Sequence, residues 1–318
     1  MSARNESDAV VASVARKRSF LTRYLPVQSV PRRIRIWSVM MVGLLGLLGL
    51  HAAFSDLHLI PSLGGDLSGG IVLAVFLMAL GCEFVDSSLG MGYGTTLTPV
   101  LLLMGFEPLQ IVPAVLLSEF CTGIGAGLMH HRDGNIDLLR DRKARKTVLL
   151  LSVLSAIGAV SAATLALHIS KHLLTVIIAI IILSVGFVIL STIRRQLRYR
   201  VGHIIGLGAI AAFNKGLSGG GYGPLVTGGQ VVSGMSGRQA VAVTSLAEGL
   251  TCLVGLITYF VLGSMLDWSL AVPLTLGALM SVPLATLTVR KMPESLMRGC
   301  IGAATCVLGI LMIVKLLW

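Results

Sequence analysis

Five ionisable side chains stand inside otherwise apolar stretches of this chain: Glu83, Asp86, Glu119, Lys215 and Glu248. A charge at membrane depth needs a partner or a ligand, so each is a candidate functional residue. Lys215 follows Asn214 and opens the run KGLSGGGYGP, residues 215–224. Its ammonium offers a full positive charge to an anion, and glycines without Cβ atoms let backbone N–H groups approach the same ligand. Glu83 and Asp86 are three residues apart and share one face if their segment is helical. A carboxyl held away from water can take and release a proton near neutral pH, which suits proton coupling. Each group also has a quieter reading: Lys215 in a permanent ion pair, and the glutamates as protonated side chains bonded to a neighbouring carbonyl.

The same pattern occurs twice. GMGYG (90–94) and GGGYG (219–223) lie 129 residues apart, and SEFCTG (118–123) and AEGLTC (247–252) keep the same offset without a gap. Tyr93 thus matches Tyr222, Glu119 matches Glu248, and Asp86 matches Lys215, which makes an Asp86–Lys215 pair across a pseudo-twofold the expected ion pair. Duplicated halves are the common build of secondary transporters. Two glycine-rich breaks meeting near the bilayer midplane, each followed by a half-helix with its positive end toward the centre, would form an anion site.

The elements that must carry these residues are transmembrane helices. Of 318 residues, 55% are hydrophobic and 12% charged, against roughly 25% charged in a soluble domain. Apolar stretches at 37–54, 71–89, 108–129, 147–168, 172–192, 201–217, 239–262, 268–289 and 299–317 approach the roughly 20 residues of a spanning helix. Pieces 95–105 and 224–235 are too short to span and read as arms of broken or re-entrant helices. The fold expected is an all-α membrane protein of about nine spans. Its parts are a basic cytoplasmic segment 1–36, an additional helix 37–58 taken as an uncleaved anchor, a first repeat 68–193 and a second, inverted repeat 201–318. With residues 1–36 in the cytoplasm, 22 of the 25 Lys and Arg fall on cytoplasmic segments, as the positive-inside rule requires. That places the protein in the cell membrane with its N-terminus inside, and makes the net charge of +11 a matter of topology rather than of nucleic-acid binding.

The two halves, each with a glycine-rich break followed by a helix, the second close to GxGGGxGP, resemble the TauE/SafE family of sulfite and organosulfonate exporters. The resemblance covers roughly residues 68–318. The first break departs from the pattern, with Met91 where a third glycine would stand and Thr95 in place of proline. The resemblance implies export of a small sulfur-containing anion, without saying which. The candidate substrate-binding residues are Asn214, Lys215, Ser218, Gly219, Gly220, Gly221 and Tyr222 in the second break and Gly90, Gly92 and Tyr93 in the first. Glu83, Asp86, Glu119 and Glu248 are the candidate proton-coupling residues. Expected partners are the small anion, protons and membrane lipid, with a homodimer one compatible assembly. No catalytic residue, metal or cofactor is expected.

Other classes fare worse. GLGAIA (206–211) fits a dinucleotide motif without the surrounding βαβ unit, and GIGAG (123–127) fits helix packing. The five cysteines lack metal spacing. GLSG (216–219) matches the serine motif of rhomboid-type proteases, but no histidine follows His203, which is roughly 22 Å along a helix from Ser218. A passive anion channel, or a carrier of a different small organic anion, remains the alternative, because the same breaks could frame a filter.

Overall fold

The computed structural model describes residues 68–137, 139–192, 201–223, 237–288 and short pieces of 226–230 and 303–315. The segment 1–36, the helix expected at 37–58, most of the short piece 224–235 and about half of the stretch 299–317 lie outside the described residues. Those described form helices and connections, with no strand among them: α1 (Gly69–Leu89), α2 (Tyr93–Leu103), α3 (Pro108–Arg132), α4 (Arg142–His168), α5 (Lys171–Thr192), α6 (Val201–Ser218), α7 (Gly237–Val261) and α8 (Trp268–Thr288). Five of them, α1, α3, α4, α7 and α8, are long and apolar enough over most of their length to cross a membrane. α2 is too short to do so and carries Pro99 in its interior.

The helix ends follow from local chemistry. Pro108 opens α3, where a missing N–H costs nothing, and the Gln110 side chain accepts the Glu107 N–H at 2.9 Å. Asp267 begins α8 by accepting from the Ser269 N–H at 3.1 Å and the Ser269 hydroxyl at 2.5 Å, and Gln110 donates to its other oxygen at 3.1 Å. α1 stops where Gly90 turns left-handed (φ 70°), its N–H reaching the Asp86 carbonyl at 2.5 Å. α6 stops in the same way at Gly219 (φ 71°), whose N–H reaches the Lys215 carbonyl at 2.9 Å. Both terminations need a residue without a Cβ.

Packing pairs α1 with α8, α4 with α6 and α3 with α7, and α3 and α7 also touch α8 and α4 respectively. Glycines make these approaches possible. A Cβ on Gly123 of α3 would stand 2.6 Å from the Ser245 carbonyl of α7, and one on Gly158 of α4 would stand 2.9 Å from the Ala209 carbonyl of α6. One on Gly277 of α8 would meet the Phe76 carbonyl of α1. Small residues at helix crossings are how apolar helices associate where burial of grease in grease yields little. Outward, α4 presents Leu149, Val153 and Ile157 at helical spacing, a face suited to lipid.

Candidate functional site

α3 and α7 cross at the centre and bring Glu119 and Glu248 to one point. Between them stands Lys215, the last charged residue of α6 before its glycine break. Its side chain is 1% exposed, and its ammonium pairs with Glu119 Oε2 and, at 2.8 Å, with Glu248 Oε1. The expected Asp86–Lys215 ion pair is therefore corrected: both partners come from the crossing helices. Asp86 instead accepts the Tyr93 N–H at 3.2 Å, so its carboxylate sits on the first turn of α2. The reason is geometric. α1 ends three residues after Asp86, and the Asp86 carboxylate reaches the backbone of the helix that starts across the break.

Glu83, Asp86, Glu119 and Glu248 nevertheless share one small void, of about 10 Å³, with Thr122, Gly123 and Ser245. Glu83 Oε1 accepts the Ser87 hydroxyl at 2.5 Å, and Cys252 Sγ lies 3.6 Å from Glu119 Oε2. Glu83 Oε2, Glu119 Oε1 and Ser245 Oγ are buried without a hydrogen-bond partner. Four carboxyls around one ammonium is an acidic excess in a dry place, and such an excess demands protons or other cations. Among the described residues no group of three His, Cys, Asp or Glu side chains has a metal-holding arrangement. Sequence reasoning missed Thr122 and Ser245, although each is three positions from a glutamate and so on the same helical face.

The two breaks touch. A Cβ on Gly94 would land on the Gly219 carbonyl, and one on Gly220 would lie 2.6 Å from the Gly94 carbonyl carbon. Thr227 donates to the Gly90 carbonyl at 2.9 Å and stands 2.9 Å from the Thr244 hydroxyl, which Gln230 also reaches at 2.9 Å. This clasp of the second break onto the first and onto α7 was not among the expected site residues. Of those that were, Ser218 serves the turn itself, its hydroxyl accepting the Gly220 N–H at 3.1 Å. Asn214 is half-buried one residue before Lys215, and its carbonyl accepts the Ser218 hydroxyl at 2.8 Å. Gly92 is the residue from which α2 starts, at φ 132°, and Gly221 sits at φ 81°. Tyr93 and Tyr222 are fully buried, and their hydroxyls end on Ser118 at 2.7 Å and Ser155 at 3.1 Å. Both are capped rings in this arrangement.

Two other polar features lie apart from the cluster. His130 is buried between Ser87 O (3.2 Å) and Asn135 Nδ2 (2.9 Å), tying α3 to α1. A larger cavity of about 290 Å³ near Glu107, Lys171, His172 and Lys315 has its cations already engaged: Lys171 pairs with Glu107 at 2.5 Å, and Lys315 donates to the Leu102 and Leu103 carbonyls.

A bundle of apolar helices with broken, charge-bearing segments at its centre defines an integral membrane transporter. The chain belongs to the family described as sulfite exporter TauE/SafE, whose profile it matches over residues 74–312. It is 29% identical over 234 residues to the probable membrane transporter protein YtnM of Bacillus subtilis (strain 168), an alignment covering 69% of this chain and 75% of that relative. No solved structure matches it.

Proposed function

We propose that this protein is a secondary transporter that exports a small sulfur-containing anion of the sulfite or organosulfonate type across the cell membrane. It would be proton-coupled and work by alternating access, and it would carry no enzymatic activity. The observation that carries this reading is Lys215, a fully buried ammonium held by two carboxyls where two helix breaks cross. A lysine that served packing alone would need no second carboxyl, and intramembrane charges of this kind mark ion pathways. The family description supplies the substrate class.

Nine spans in two inverted repeats fit the same reading. A shift of 129 residues carries the bounds of α3, Pro108–Arg132, onto those of α7, Gly237–Val261, and the turn at Gly90 onto the matching turn at Gly219. The packing also exchanges mates, α1 lying on α8 while α6 lies on α4. Rocking of one repeat against the other about the central cluster would expose it to each side in turn. The experiment is anion flux through the purified protein in liposomes, comparing sulfite, thiosulfate, sulfate, carboxylates and methanesulfonate. Saturable flux of the sulfur anions that Lys215→Met abolishes is the expected result; flux confined to carboxylates would assign a different substrate, and non-saturating flux would assign a channel.

A further inference from the structure

We infer that the carboxylates of Glu119, Glu248 and Asp86 are internal stand-ins for the transported anion, which must displace them, so that anion and protons bind together. The inference rests on the proposed function and adds the rule by which the site loads. The centre has two positive features, the Lys215 ammonium and the N-terminal turn of α2. Both are taken by this chain's own carboxyls: Glu119 and Glu248 on Lys215, and Asp86 on the Tyr93 N–H at 3.2 Å.

The adjoining void of about 10 Å³ has room for roughly one water. A sulfonate, with three oxygens around sulfur, cannot be added beside the existing pairs. It can only replace one. A carboxylate pushed off Lys215 then stays in a dry site among Glu83 and Asp86, where a second unpaired negative charge is untenable. It takes a proton, and the orphaned Glu119 Oε1 and Glu83 Oε2 mark where protons can reside. The other titratable groups around the cluster are Cys82 of α1 and Tyr93 of α2 beside Glu83 and Asp86, Cys252 of α7 on Glu119, and Tyr222 beside Glu248. All are neutral as thiols or phenols and become no more charged by gaining protons, so the uptake falls on the carboxyls.

The sign follows from linkage. If anion binding draws in protons, lowering the pH must tighten the anion, by about tenfold per pH unit for each proton taken up. Methanesulfonate is the probe, because as the anion of a strong acid it does not itself titrate. Calorimetry on the full-length protein in nanodiscs, in buffers of differing ionisation heat, counts the protons directly. We expect one to two protons taken up per methanesulfonate and tighter binding at about pH 6 than at about pH 8. Glu119→Gln should flatten that slope, since glutamine neither competes for Lys215 as a charge nor takes a proton. Binding accompanied by no proton uptake, or by proton release, overturns the inference and leaves the transporter reading standing. If neither methanesulfonate, sulfite nor thiosulfate binds at either pH, both fall. The proton count needs only the unmodified protein, so a variant that misfolds does not shelter the inference.

Discussion

Lys215 concentrates the consequences at the residue scale. Removing one partner of a buried ion pair leaves an uncompensated charge and typically costs about 3–5 kcal/mol, and here two carboxyls depend on one ammonium. Lys215→Met is expected to unfold at distinctly lower temperature, and adding Glu119→Gln and Glu248→Gln should recover most of the loss. A thermal melt of the single variant that matches the parent would mean that the three groups do not hold one another. The sequence made these three residues candidates because charges stand out in apolar helices. It did not reveal who pairs with whom. Repeat register pointed Lys215 to Asp86, but pairing depends on where α3 and α7 cross and on which way the Asp86 side chain turns at the end of α1. Both are non-local facts that no spacing encodes.

Helices are the part of the scheme most legible in the sequence. The apolar stretch 108–129 is α3, 201–217 is α6, and the short piece 95–105 is α2 shifted by two residues, because length and hydropathy suffice to set such elements. How the breaks touch was less legible: glycines signal close approach, yet only the folded chain shows Gly94 lying against Gly219 and Gly220. That contact sets a prediction for the element scale. A methyl on Gly220 would lie 2.6 to 2.8 Å from backbone atoms of Gly94 and Thr95, which cannot yield as a side-chain tip would. Gly220→Ala should therefore cost about 1–3 kcal/mol or more. Gly81→Ala, inside α1 with nothing within 4 Å of the added methyl, should be neutral or stabilising by up to about 1 kcal/mol. Unfolding temperatures of the two variants check this; equal values would show that the breaks are not in contact.

For the whole molecule, the topology we propose from the basic clusters and the repeated motif has the loop after α3 cytoplasmic and the loop before α8 external. Leu139 and Met265 stand in these loops, 74% and 88% exposed. A cysteine replacing Leu139 should react with a membrane-impermeant thiol reagent only from inside, and one replacing Met265 only from outside; the reverse pattern would overturn the orientation, and labelling of both from one side would remove the inversion of the halves. The 129-residue offset through Glu119 and Glu248 is legible in the sequence, while the packing of α1 on α8 and of α6 on α4 is not. The central claim, that an anion crosses at Lys215 together with protons, is tested most directly in liposomes holding the purified protein and a pH dye, with the voltage clamped by potassium and an ionophore. An inward methanesulfonate gradient should acidify the lumen, and Lys215→Met should abolish the signal. Methanesulfonate entry with no acidification, or with the lumen turning alkaline, would contradict the account.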